Sequence, residues 1–174
     1  WILLQNILKY NLLKKYDRIV ITRSDFFWCL HHPKMENLNS NYIWIPNGEK
    51  YGGYTDRHAI LSKENFYDYL NLIEPILLEP NKLFDLMKSK KNWNLERYIK
   101  FHLNRKGYKG KVNFFPYIMF TVRNSKIKTT FRPGTYSYKH KFFIKYFKEY
   151  LSTFIYYFIL GEKNKKYSNY KFLY

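Results

Sequence analysis

Three acidic residues stand where an α/β chain could put them to chemical use: Asp25, Asp56 and Glu96. Asp25 closes the stretch DRIVITRSD, in which the β-branched run Ile19–Thr22 ends on Arg23-Ser24-Asp25. A carboxylate at a strand end reaches the crevice beyond the sheet, where open α/β folds place their ligands. Hard oxygen donors suit Mg²⁺ or Mn²⁺, which take one or two protein carboxylates and complete their shell with substrate phosphate oxygens. A surface ion pair between Arg23 and Asp25 is the simpler reading of the same residues.

Asp56 falls in GEKYGGYTDRH, Gly48 to His58. Gly52 and Gly53 permit positive φ and close backbone approach to a ligand. Tyr51 and Tyr54 offer ring faces that could stack on sugars. Asp56, Arg57 and His58 then supply an acid or base, a phosphate-pairing cation and an imidazole in succession. A glycine-rich turn carrying a solvated charge triplet is the alternative. Glu96 sits in the first turn of a predicted helix, where the helix dipole alone is reason enough for a carboxylate. His102, six residues on, is expected to pack. Arg132-Pro-Gly-Thr135 joins a cation to backbone amides suited to an anion, although an ordinary turn explains it equally well. His31-His32 lacks the i, i+4 spacing of helical metal ligands and reads as loop.

The elements that must position these residues follow from periodicity. Residues 2–15 carry Ile2, Leu3, Leu4, Ile7, Leu8, Leu12 and Leu13 at helical spacing. Asp17–Thr22 reads as a buried strand and Asn41–Pro46 as a second, with a loop and one helical turn over 29–40. Ser62 is expected to cap a helix running through FYDYLNLIEPIL until Pro75. Residues 93–106 make another, closed by Gly107. KVNFFPYIMFTVR is a strand pair or one strand interrupted at Pro116. Residues 139–160 are expected to form a last aromatic helix, and 162–174 a basic, poorly ordered tail. This is an α/β order, with one domain over 1–161 and the tail after it.

Composition bounds the partners. The chain has 174 residues and a formal charge of +18, which favours polyanions. Lysine outnumbers arginine by 24 to 7, however, and Asn, Tyr and Phe are abundant beside a single Ala, a bias that A/T-rich codons would produce unaided. Specific nucleic-acid readers favour Arg for its bidentate fork, so no specific nucleic acid is expected. The single cysteine, Cys29, excludes an internal disulfide framework and fits a reducing, cytoplasmic setting. The longest apolar run, ten residues from Leu151 to Leu160, includes Ser152 and Thr153. It falls short of the about twenty residues needed to span a bilayer.

The order of these segments carries a resemblance. YDRIVITRSDFFW, IWIPNGEKYGGYTDRHAILSKENFYDYL, WNLERYIKFHL and FFPYIMFTVR together resemble the small GT-A-fold glycosyltransferases encoded by large algal DNA viruses, and related bacterial polysaccharide enzymes. The resemblance covers roughly residues 1–135 and is most specific at Arg-Ser-Asp and Asp-Arg-His-Ala-Ile-Leu-Ser. It implies a GT-A-like, Rossmann-related mixed sheet flanked by helices, here lacking the N-terminal β-α-β unit that holds the nucleotide base. It implies a nucleotide-sugar donor, a UDP-sugar, a glycan or glycoprotein acceptor, and dependence on Mn²⁺ or Mg²⁺. The family's Asp-x-Asp motif falls on Arg23-Ser24-Asp25, so Asp25 becomes the metal ligand while Arg23 departs from the acidic pattern. Arg23, Gly52, Gly53, Tyr54, Arg57 and Arg132 would serve donor and acceptor binding. Asp56 would be the acid, base or hydroxyl anchor and Glu96 a second acidic contact.

A reading of another class competes: a basic, aromatic-rich module that binds nucleic acid or an anionic membrane surface without catalysis. Lys139, Lys141, Lys145 and Lys148 alternate with Phe142, Phe143, Tyr146, Phe147 and Tyr150, an arrangement that suits an interfacial helix. Packing of that helix onto the sheet is the favoured expectation.

Overall fold

In the computed structural model, which describes residues 1–28, 31–121, 136–138 and 142–144 with Leu151, Thr153 and Ile155, the chain divides into two compact units. The first comprises Trp1–Thr22, Asn39–Ile45 and Glu49–Phe114, and the second Arg23–Leu38, Pro46–Gly48 and Phe115–Tyr174. In chain order the elements are α1 (Ile2–Lys9), β1 (Arg18–Thr22), β2 (Phe26–Trp28), β3 (Ile43–Pro46), β4 (His58–Ser62), α2 (Phe66–Leu70), α3 (Glu74–Leu78), α4 (Pro80–Lys88), α5 (Leu95–Arg105), β5 (Val112–Phe115), β6 (Met119–Thr121), β7 (Tyr136–Tyr138) and β8 (Phe142–Ile144). Short 3₁₀ turns occupy Leu12–Lys14 and Met35–Asn37.

Four strands form one sheet in the order β1-β4-β3-β5. β4 runs antiparallel to both β1 and β3. The Ile43 N–H donates to the Lys111 carbonyl at 3.0 Å and the Asn47 N–H to that of Phe115 at 2.8 Å, an advance in step that makes β3 and β5 parallel. The fold is therefore a mixed α/β one.

β4 is buried at all five positions. Its Ala59 and Leu61 join Ile43, Ile45 and Val112 on one face, against Leu4 and Ile7 of α1, Phe66 and Tyr69 of α2, and Ile99 and Leu103 of α5. On the other face Ile60 lies opposite Trp44, and both are buried. The Trp44 indole N–H meets the Asn39 carbonyl at 2.9 Å, so its burial leaves no orphan donor. A strand covered on both faces reads as a short apolar run without alternation. For that reason the sequence reading assigns no strand to HAILS, although it is an interior strand of the sheet.

Other expectations change as well. β1 is an edge strand with Val20 40% exposed, not the buried strand expected. The first helix ends at Lys9, where Asn11 enters the left-handed region at φ 51° and the chain tightens into a 3₁₀ turn. Ser62 ends β4 and caps no helix; its N–H donates to Asn65 Oδ1 at 2.8 Å, and Asn65 precedes α2. Pro75 opens α3 and Pro80 opens α4, because a first-turn proline forgoes an N–H that has no intrahelical acceptor.

α5 matches its expected span closely. The Asn94 side chain caps it by accepting from the Arg97 N–H at 2.9 Å, and Gly107, at φ +87°, follows its end. Tyr98, Ile99, His102 and Leu103 form its buried face. Tyr98 donates its hydroxyl proton to the Leu72 carbonyl at 2.6 Å, and His102 Nε2 donates to that of Asp68 at 3.0 Å. His102 thus packs, as expected.

In the second unit β2 pairs with β6 antiparallel, and the rings of Trp28, His32 and Phe115 follow one another at 5.9 and 6.3 Å. Tyr117 is buried there, and the Thr153 hydroxyl donates to its carbonyl at 2.7 Å. β7 and β8 pair antiparallel, which corrects the helix expected across 139–160: Phe142–Ile144 is strand, while Leu151, Thr153 and Ile155 are helical. A segment aromatic on every side carries no decisive period, and aromatic and β-branched residues also suit a ladder. Cys29, the rest of the segment expected as helix and the tail lie outside the described residues.

Two outcomes follow from this packing. Leu103→Ala should cost about 2–5 kcal/mol in chemical denaturation, whereas Leu77→Ala, at a side chain 65% exposed, should stay within about 0.5 kcal/mol. Burial holds the His102 pKa below the ordinary 6.5, outweighing the bond to Asp68. The unfolded chain therefore takes the proton more readily. The stability owed to neutral His102 is complete above pH 6.5 and is lost as pH falls toward the depressed folded value. Urea titrations across that range should show a shallower acid slope in His102→Gln. Some slope should remain, because burial lowers His32 in the same direction.

Candidate functional site

Glycine chemistry builds the densest constellation, in the first unit. The loop before β4 places Glu49, Tyr51 and Gly52 at φ 47°, 44° and 87°, three residues in the left-handed region. Two of them bear a Cβ and are strained there. The turn closes with the Gly53 N–H donating to the Lys50 carbonyl at 2.7 Å. It is then seated on the start of α5. The Tyr54 N–H donates to the Glu96 carbonyl at 2.9 Å. The Tyr51 carbonyl accepts from Asn94 Nδ2 at 3.0 Å and from Arg97 Nε at 3.4 Å.

Gly53 is where a side chain is impossible. A Cβ there would stand 1.9 Å from the Glu96 carbonyl oxygen. At Gly52 it would stand 2.7 Å from Arg97 Nε. Both properties anticipated for Gly52-Gly53 are thus present, positive φ and close approach, but the partner approached is the protein's own helix.

Asp56 and Arg57 follow this turn and lead directly into β4. The Asp56 side chain is exposed. Its charge also reaches the Tyr69 hydroxyl beneath, which burial first and Asp56 second push well above the usual phenol range. Arg57 is engaged differently from the expectation of a phosphate-pairing cation: its Nε forms an ion pair with Glu49 Oε2. The Glu49 side chain is fully buried and that of Arg57 is 16% exposed. His58 is the buried first residue of β4 and offers no surface imidazole.

Glu96 occupies the first turn of α5 and is half-buried. Tyr54 is half-buried beside it, its phenol raised by desolvation. Asp56 and Glu96 therefore sit on two segments joined by a backbone hydrogen bond, and among the described residues neither carboxylate forms an ion pair.

Arg23 and Asp25 belong to the second unit, in the turn between β1 and β2. Arg23 Nε and Nη2 donate to the two Asp25 oxygens at 3.0 and 2.8 Å, with the side chains 46% and 44% exposed. This is the surface ion pair of the simpler sequence reading. Among the described residues no group of three or more His, Cys, Asp or Glu side chains gathers to hold a metal. Arg132 lies outside the described residues.

Sequence reasoning missed Glu49 altogether. An acid inside a glycine-rich loop reads as solvated, and its burial depends on Arg57, eight residues on. Compared with protein-family models, with curated proteins and with solved structures, the chain matches none.

The seating of the loop is open to test. Gly53→Ala should destabilise the domain by about 3 kcal/mol, since the obstacle is backbone that cannot swing aside. Gly107→Ala meets no atom within 4 Å and should lose only about 1 kcal/mol, for its positive φ. Paired thermal melts would read both.

Proposed function

We propose that the chain is a metal-dependent glycosyltransferase moving a sugar from a nucleotide-sugar donor, a UDP-sugar, to a glycan acceptor. The observation that carries the reading is the pairing of Asp56 and Glu96 on segments locked together, both free of ion pairs among the described residues of a chain with 31 basic side chains. Carboxylates left unpaired amid so many cations suit a role that needs a proton acceptor or a hydroxyl anchor. Order along the chain adds support, because the Arg-Ser-Asp and Asp-Arg-His segments resemble those of GT-A enzymes.

In this reading Asp56 accepts the proton of the acceptor hydroxyl as its oxygen bonds to the sugar and the bond to UDP breaks. Glu96 anchors a neighbouring hydroxyl. Tyr54 lends an aromatic face to the sugar. Asp25 would hold the divalent cation: its half-exposed carboxylate is the oxygen donor a hard ion takes, in exchange for its guanidinium partner. A divalent cation held there would supply neutralisation of diphosphate charge. Arg23, released, would pair with a phosphate oxygen.

Calorimetric titration with UDP, with and without Mn²⁺, tests the reading. Asp25→Asn keeps shape and removes charge. It should abolish the Mn²⁺-dependent part of UDP binding while moving folding stability by at most about 1 kcal/mol, the worth of an exposed ion pair. Asp56→Asn should keep UDP binding and lose sugar transfer. Full Mn²⁺-dependent binding by Asp25→Asn would remove the metal role from this residue.

A further inference from the structure

Beside the seated loop lies a cluster around Tyr54 whose two lysines the proposed mechanism leaves unused. Lys50 Nζ stands 4.0 Å from the centre of the Phe114 ring. The Phe114 and Tyr54 rings are neighbours, their centres 6.3 Å apart. Lys100 Nζ stands over Tyr54 at 5.8 Å. Two ammonium groups thus flank one aromatic pair, all within the first unit. Lys50 is half-buried and Lys100 exposed.

We propose that Lys50 and Lys100, mounted on the Phe114–Tyr54 ring pair, form a subsite for an oxyanion, a phosphate or carboxylate group of the substrate. Among the described residues neither ammonium has a carboxylate partner. Ring faces hold a cation by their quadrupole and leave its net charge uncancelled. The two cations repel one another, and burial together with the Lys100 charge lowers the Lys50 pKa. An oxyanion between them relieves that repulsion and takes charge-assisted hydrogen bonds from both. The positions are fixed by surrounding structure: the Lys50 carbonyl closes the Gly53 turn, and Lys100 lies one turn beyond Glu96 on α5. Glu96 is the acid that opposes an anion here, so the subsite admits the anionic group at its lysine end.

The inference goes beyond the proposed transfer reaction and can fail independently of it, because anion binding is measured without metal and without turnover. The probe is inorganic pyrophosphate, titrated calorimetrically into the folded chain at low salt. Lys50→Gln and Lys100→Gln should each weaken binding about tenfold, and the double variant should show no saturable binding. Lys50→Arg should retain binding. Lys82→Gln, on α4 and paired with Glu79, should match the parent. Equal weakening by Lys82→Gln, or unchanged binding by the double variant, would assign the affinity to diffuse charge and overturn the proposal. If Lys50→Gln fails to fold, Lys100→Gln decides, since its side chain is exposed. Displacement of pyrophosphate by UDP supports the donor diphosphate as occupant, and displacement by a galacturonate trisaccharide supports an acidic acceptor. Displacement by neither overturns the assignment to substrate.

Discussion

The contact on which the candidate site depends is the approach of Gly53 and Tyr54 to the Glu96 carbonyl. A backbone N–H and a helical carbonyl meet at 2.9 Å across a gap with no room for a Cβ. Bringing the loop that close turns the Tyr51 carbonyl toward Asn94 and Arg97, which would otherwise face solvent. Asn94 then serves twice, accepting from the Arg97 N–H to cap α5 and donating to Tyr51. One residue joins helix initiation to loop conformation. Three left-handed residues in the loop are tolerated because these bonds repay part of their strain.

Charge placement follows from the same loop. Several acids in the first unit meet cations at its surface: Asp17 with Lys63, Asp68 with Lys106, Asp85 with Lys88, and Glu79 with Lys82 and Arg105. Such pairs contribute about 0–1 kcal/mol each. The Glu49–Arg57 pair is of another kind, since both groups are largely withdrawn from water. Removing one partner of a buried pair leaves an uncompensated charge and costs about 3–5 kcal/mol. It also determines what surrounds Asp56. Arg57, the adjacent cation, is drawn inward to Glu49, and the Asp56 carboxylate keeps its exposure.

Much of the fold was legible where local signals and packing agree. α5 has a capping residue, an apolar stripe and a closing glycine, and its span is nearly as expected. Pro116 divides β5 from β6 as its missing N–H requires. What escaped is set by tertiary surroundings. His58–Ser62 has no alternation because both of its faces are covered. Pro75, which reads as a stop when its position is unknown, lies in the first turn of α3, and α4 begins on Pro80. At the site, Asp56, Glu96 and the two glycines were visible as residue types. That the glycines serve contact between loop and helix was not, because Glu96 lies more than forty residues further along the chain.

Glu96 and Lys100 show how far the loop overrides local preference. They are spaced i, i+4 with the acid first, the orientation in which a helical ion pair contributes about 0.3–0.5 kcal/mol. Among the described residues that pair is not formed, and Lys100 stands over Tyr54. Tyr54 is there because its N–H is drawn to the Glu96 carbonyl. The half-buried ring offers the ammonium a face whose attraction, about 0.5–1 kcal/mol at an exposed site, matches or exceeds the ion pair. A backbone hydrogen bond thereby separates two opposite charges that the helix alone would join. The surface keeps a carboxylate and an ammonium available one turn apart, each able to meet a different part of a polar ligand.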